Sequence, residues 1–599
     1  CKSPCNQKEF WSKDPRASAV RLTLSELHHR SNSCNIVRRM SGTARSLGAG
    51  PAQPKSTPKP SICFIHIILT MNKKPVSSTP DSPRRVLLIT ADQWRGECLG
   101  IAGHPVVKTP NLDRLASEGV IFNKHYCQAV PCGPSRASLF TGMYLMNHRS
   151  VNNGTPLDRH FTNLALECRK GAFEPTLFGY TDTSMDPRGL HPNDPDLKTY
   201  KNMLPGMIAG VDIKNDTQKT WISWLKNRGY SKDLNIDNIF LTEPGNSGID
   251  RDSFTSAPTL YDRDHSDTAF LTDSLLEWFN TREEEDWFVH LSYLRPHPPY
   301  VSPEPYNSLY DPEKLSPALR AQSLEEEGSQ HPLLPVLHEM YPRKSFFGGS
   351  SSSPVAKASD EEFLQAKATY YGLMTEVDDQ LGRVFEYLKA TGQYESTLIV
   401  FTSDHGEQLG DHYIFGKMSY FDASYHIPLI IRPPYGASEQ NEMVQQFTES
   451  VDVMPTILDC LELEVPDQCD GVSLVPFLKG ETPQNWREEV HSEMDFRLIG
   501  SHQKMIEQRL GLFPDQCSLA IIRDDEYKYV HMTALPSLFF DLKRDPGEFM
   551  NRIEDPDYRE LVLKYSGKMI SWMMNHRDRV LANINIAHGK LIHWQGPRN

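Results

Sequence analysis

A cysteine stands between two prolines, one residue removed from the second, in Val130 to Gly142, VPCGPSRASLFTG, with an arginine four positions on at Arg136. A cysteine alone at such a place reads as a small buried hydrophobe. Two further short stretches carry donor groups: Asp92 and Gln93 in ADQWR, and Asp404 and His405 in FTSDHGE. Singly, an Asp-Gln pair after an apolar run is a turn and SDHG is loop chemistry. Their combination is less easily put down to turns and packing, and their convergence would be the first sign of a site.

The elements that must position these groups read from the apolar pattern. RRVLLITADQ begins with a continuous apolar run, Val86 to Ile89, and turns polar at Asp92, as a buried strand of a parallel sheet does. TPNLDRLASEGV reads as a helix with Thr109 as N-cap, Pro110 in the first turn, Leu112, Leu115 and Ala116 on one face, and Gly119 as terminator. Leu373, Val377, Leu381, Val384 and Leu388 mark one face of a long helix from about Asp360 to near Gly392, and TLIVFTSDHGE follows as a second buried strand. Ligands of open α/β sheets gather beyond the carboxyl ends of strands, so Asp92 and Gln93 are expected to meet Asp404 and His405 across more than 300 intervening residues. Cys132 is expected to open a helix, whose free N–H groups favour anionic oxygen, with Arg136 one turn later.

After about residue 485 the texture changes. SLAIIRDDEYKYVHM reads as two strands around an Asp-Asp turn, SLFFDLKRDPGEF as a strand entering a turn, and Tyr558 to Met574 as a helix. SFFGGSSSSPVAKASD reads as a flexible loop, and the chain shows no internal repeat. The expected organisation is a leader over residues 1–80, disordered or an over-extended reading frame with a start near Met71, a catalytic domain over 81–485, and an α+β subdomain over 486–599.

Composition bounds the class. The 599 residues, 38% hydrophobic and 23% charged, describe a folded globular chain. The first 70 residues hold 11 lysines and arginines against 3 acids, and the remainder 52 against 74, a net of −22. That acidic body argues against nucleic acid or another polyanion as partner. No run reaches the roughly 18 apolar residues of a membrane span. Eleven cysteines, seven of them after residue 70, form no disulfide framework and point to a reducing, cytoplasmic setting.

CGPSRASLFTG resembles the signature of the sulfatase family, within the alkaline phosphatase superfamily, in which the cysteine is oxidised after translation to formylglycine. The resemblance is closer to bacterial phosphonate monoester hydrolases through ADQWR, KTPNLDRLASEGV, PCGPSRASLFTGMYLMNHR, RPHPPYV, YYGLMTEVDDQLGRVF, FTSDHGEQLGDH and DVMPTILD, and covers about Val86 to about residue 580. It implies an α/β sandwich with a large mixed sheet between helices, plus the small C-terminal α+β subdomain. It implies hydrolysis of sulfate esters, phosphonate monoesters or phosphodiesters through a hydrated formylglycine at 132 and a covalent hemiacetal, with a formylglycine-generating enzyme as maturation partner. A dedicated aryl or choline sulfatase is the second reading, and a catalytically silent binding protein whose Cys132 stays a thiol is the third.

By the same resemblance Asp92, Gln93, Asp404 and His405 are the ligands of one divalent metal, a donor set that suits Mn²⁺ better than the oxygen cage of Ca²⁺, with Zn²⁺ or Fe²⁺ as alternatives. Cys132, Arg136, Lys417 in FGKMS and His297 in RPHPP are the catalytic residues, Lys417 offsetting transition-state charge and His297 protonating the leaving group. Asn153 and Tyr180 contact the small anionic ester substrate. Where the phosphonate hydrolases carry threonine two residues past this tyrosine, this chain has Asp182. A homo-tetramer is the implied assembly. His125, His148, His412, His426 and Cys127 are read as structural.

Overall fold

The computed structural model describes residues 84–593 except 214–217, 243–255, 283–285, 348–350, 437–442, 498–500 and 579. The leader expected over 1–80 and part of the serine-rich loop lie outside the described residues.

Eight strands form the main sheet: β1 (Arg85–Ala91), β2 (Val120–Tyr126), β4 (Pro175–Gly179), β5 (Ile208–Asp212), β6 (Trp287–Tyr293), β7 (Thr397–Thr402), β8 (Leu429–Arg432) and β9 (Val444–Glu449). Their order is β5-β4-β6-β1-β7-β8-β2-β9, and β8 alone runs antiparallel to both its neighbours. The apolar runs serve both faces at once. Leu87 and Ile89 of β1, with Ile399 and Phe401 of β7, enter one hydrophobic core, while Val86, Leu88, Leu398 and Val400 enter the core on the opposite face.

Helices cover both cores. On the first lie α1 (Pro110–Ser117), α3 (Asp267–Thr281) and the long α4 (Asp360–Ala390); on the second lie α2 (Cys132–Thr141) and α5 (Val453–Cys460). Leu112, Leu115 and Ala116 of α1 are buried as their spacing requires. Thr109 precedes α1 without capping it: its hydroxyl donates to Asp113 and accepts from the Gly100 N–H, both at 2.9 Å. A capping box between Ser359 and Glu362 starts α4, and Gly392 follows its end at φ +69°.

A second sheet has the order β13-β12-β11-β10-β3, from β3 (Ala129–Val130), β10 (Val490–Asp495), β11 (Ser518–Arg523), β12 (Tyr527–Met532) and β13 (Leu538–Asp541), with α6 (Arg559–Asn575) packed on it. Its edge strand β3 comes from the segment directly ahead of Cys132 and pairs in parallel with Glu493 and Met494. The small sheet therefore fixes how the chain enters α2.

Of the four histidines read as structural, His125 Nδ1 lies 3.0 Å from Thr448 Oγ1, His412 Nδ1 2.9 Å from Glu327 Oε1 and His426 Nε2 2.8 Å from the Asn123 carbonyl. His148 is the informative one: it accepts the Ser150 N–H on Nδ1 at 3.1 Å, so its Nε2–H faces Ser138 Oγ of α2 at 3.0 Å. Burial pushes its pKa down to about 3. As pH falls below about 6.5 the unfolded chain takes up a proton that the folded chain refuses, so this histidine costs stability on the acid side. Replacing it removes that loss: the destabilisation of His148→Asn is expected to shrink by about 2 kcal/mol between pH 7 and pH 5. Denaturant melts of both proteins at the two pH values read it directly.

Candidate active site

β1 and β7 are hydrogen-bonded neighbours in register at Thr90 and Thr402, so the residues just beyond their carboxyl ends emerge side by side. Ser403 binds the two loops together, its hydroxyl donating to the Ala91 carbonyl at 2.7 Å and accepting the Trp94 N–H at 2.9 Å. Gln93 takes φ +71°, a left-handed conformation costly for a side chain of its size, and its N–H donates to Asp404 Oδ1 at 3.1 Å.

Cys132 is the first residue of α2, the helix start expected at that position. Gly133 is confined by close approach: a Cβ there would lie 3.0 Å from Asn153 Oδ1, which accepts the Gly133 N–H at 2.8 Å. Arg136 is fully buried and bridges the two acids, Nε to Asp404 Oδ2 at 2.9 Å and Nη2 to Asp92 Oδ2 at 3.2 Å. Nη1 donates to the Tyr180 carbonyl and to Ser292 Oγ, each at 3.0 Å, and the guanidinium lies over the Tyr180 ring at 4.4 Å. Sequence reasoning placed Arg136 beside an anion; the anions it grips here are the protein's own carboxylates.

Ligand atoms of Asp92, Cys132, Asp404 and His405 all lie within 4.8 Å of one another. Asp92 Oδ1 is buried without a hydrogen-bond partner, the mark of an oxygen reserved for something else. Burial opposes the Asp92 charge, yet Arg136, His405, Lys417 and the Tyr180 hydroxyl hold its pKa below the usual carboxylate range. His405 Nδ1 lies 2.9 Å from the Gly406 carbonyl, which requires the proton on Nδ1 and leaves Nε2 a lone pair, 3.2 Å from Cys132 Sγ. Burial pushes its pKa down, so the ring is neutral, the form that ligates. Gln93 lies next to this cluster: Glu407 accepts its amide N–H, and its Oε1 accepts from Lys417 Nζ at 2.7 Å. The donors fit one divalent cation.

Burial raises the Cys132 thiol far above the ordinary range, with Asp92, Asp404 and Asp182 adding to it and Lys417 opposing. As a thiol it is a poor nucleophile. Burial opposes the Lys417 ammonium as well, but its acidic surroundings hold its pKa above the ordinary lysine value. Burial, with the Lys417 ammonium opposing a second positive charge, pushes the His297 pKa well down. Its Nδ1 faces the Pro298 carbonyl at 2.7 Å. In the free protein it is a neutral imidazole, not a standing acid.

The structure thus brings Asp92, Gln93, Cys132, Arg136, Asn153, Tyr180, Asp404, His405 and Lys417 together, with His297 within electrostatic range. Glu407 went unread: it orients Gln93 while accepting the Leu409 and Gly416 N–H groups at 2.7 and 2.6 Å. Lying in the quoted SDHGEQ stretch, it offers no sequence signal that separates it from a solvated loop acid.

Comparison with known proteins agrees in fold and chemistry. Residues 84–463 match the sulfatase family model, and residues 410–575 match the C-terminal region of N-sulphoglucosamine sulphohydrolase. A multifunctional alkaline phosphatase superfamily protein of Trinickia caryophylli is 43% identical over 505 residues, covering 84% of this chain and 97% of that protein. An arylsulfatase of Clostridium perfringens is 27% identical over 489 residues, covering 80% and 92%. The solved structure of the phosphonate monoester hydrolase of Agrobacterium radiobacter superposes with a TM-score of 0.82 at 42% identity, covering 86% of this chain and all of that one.

Proposed function

The chain belongs to the sulfatase family, and from that premise we propose that it is a formylglycine-dependent metallohydrolase of sulfate esters, phosphonate monoesters and phosphodiesters. The observation that carries this reading is the position of Cys132 within 4.8 Å of ligand atoms of Asp92, Asp404 and His405, with a thiol too weakly acidic to attack. Conversion to formylglycine supplies what the thiol lacks, a hydroxyl nucleophile after hydration and a second hydroxyl whose deprotonation releases the bound anion. A divalent cation, Mn²⁺ by the mixed oxygen and nitrogen donors, supplies Lewis acidity at the transferred group when bound by Asp92, Gln93, Asp404 and His405.

The protein's own groups do the rest. Arg136 holds Asp92 and Asp404 in place, Glu407 sets the Gln93 amide, and Tyr180 donates to Asp92. Lys417 offsets charge that grows on the non-bridging oxygens, and the Asn153 amide, its oxygen anchored on Gly133, offers its N–H₂ to the substrate. His297 is the group assigned here to protonate the leaving oxygen as the S–O or P–O bond breaks, taking up a proton once an anionic ester is bound. A formylglycine-generating enzyme is the partner that matures the site. Cys98, Cys127, Cys132, Cys168, Cys460 and Cys517 form no disulfide among the described residues, in keeping with the reducing, cytoplasmic setting that belongs to this proposal, and no described helix is long and apolar enough to cross a membrane. A homo-oligomer belongs to the proposal and is supported by exposed Ile570 and Met574 on α6 with Ile586 and Leu591 beyond it.

Steady-state kinetics on matched aryl esters test the reading. Turnover of an aryl sulfate, an aryl phenylphosphonate and an aryl phosphodiester is expected, with kcat/KM on the phosphonate or diester at least equal to that on the sulfate. A preference for sulfate of about 100-fold or more, nearly 3 kcal/mol, would assign a dedicated sulfatase instead.

A further inference from the structure

Asp182 is the acid the catalytic account leaves unused. It is 4% exposed and sits at φ +48°, a left-handed conformation that aspartate and asparagine tolerate better than most residues. Its Oδ1 is buried without a hydrogen-bond partner. The residue stands beside the nucleophile, its carbonyl oxygen 3.5 Å from where a Cβ on Gly133 would fall. Its charge is felt by Cys132, Arg136 and Tyr180 and, at the more exposed rim, by Tyr200.

We propose that Asp182 sets the charge of the tetrahedral group the site accepts, admitting monoanionic sulfates, phosphonate monoesters and phosphodiesters and disfavouring dianionic phosphate monoesters. The inference rests on the functional reading above and names its selectivity. In a water-poor pocket the interaction between like charges is weakly screened. Burial already pushes the Asp182 carboxyl up, with Lys201 and Arg136 opposing and Asp92 and Asp404 reinforcing. A second negative charge on the substrate must tolerate this carboxylate or force a proton onto it, and either route weakens transition-state binding of the dianion. A monoanion meets half that opposition.

The test compares wild type with Asp182→Asn, which keeps shape and left-handed tolerance and removes the charge, on para-nitrophenyl sulfate, phenylphosphonate and phosphate. At about pH 8 the phosphate monoester, with its second ionisation near 6, is a dianion. The expected result is a rise of about tenfold or more in the ratio of kcat/KM on phosphate to kcat/KM on the two monoanions. Asp182→Glu keeps the charge and is expected to keep the wild-type ratio, which separates charge from shape if either variant is less stable. An unchanged or lower ratio in Asp182→Asn, or a raised ratio in Asp182→Glu, overturns the inference and leaves the functional reading standing. No wild-type turnover of any of the three esters overturns both.

Discussion

Cys132→Ala is expected to lose at least about 10⁴-fold in kcat/KM on every ester while keeping its fold and its metal, because the nucleophile disappears and nothing else in the pocket replaces it. The side chain is small, and its Sγ lies 3.2 Å from His405 Nε2, so its loss removes about 1 kcal/mol of packing at most. The proposed ligands Asp92, Gln93, Asp404 and His405 are positioned by β1, β7, Arg136 and Glu407, and not by the residue 132 side chain. Kinetics with metal analysis and a melting curve check all three points together. Activity within tenfold of wild type would remove residue 132 from the chemistry.

The second large effect is on stability. Arg136 is 1% exposed in its side chain, and the two carboxylates it joins are wholly buried. Arg136→Met keeps the bulk but leaves two acids facing each other without their shared cation, a change that costs about 3–5 kcal/mol in the metal-free protein. A bound divalent cation neutralises the same acids, so saturating metal, at about 100 times its Kd, is expected to return roughly 2.7 kcal/mol. Unfolding of wild type and variant with chelator and with Mn²⁺ measures both shifts. Equal stability of the two proteins in chelator would show that Arg136 does not hold the acids together.

What the chain discloses before folding is uneven, for physical reasons. The ends of β1 and β7 were legible because strands buried on both faces read as unbroken apolar runs, and the polar residue that ends each run is where the site begins. The 31-residue helix α4 was legible because its apolar spacing repeats over many turns. β3 was not: two residues carry no period, and their pairing with β10 lies more than 360 positions away. Arg136 was legible as an arginine one turn from Cys132, but its partners Asp92, Tyr180, Ser292 and Asp404 come from four separate segments. Glu407 and the left-handed turns at Gln93 and Asp182 are set by tertiary contacts, which no local pattern encodes.

The central claim is that residue 132 works as an aldehyde and not as a thiol. Peptide mass spectrometry across Val130 to Gly142, on protein from its native host, tests it most directly. The account predicts a peptide lighter by the difference between a thiol-bearing CH₂SH and an aldehyde CHO, inert to thiol alkylation and reactive toward a carbonyl reagent. An intact, alkylatable thiol in protein that turns over its ester substrates would contradict it.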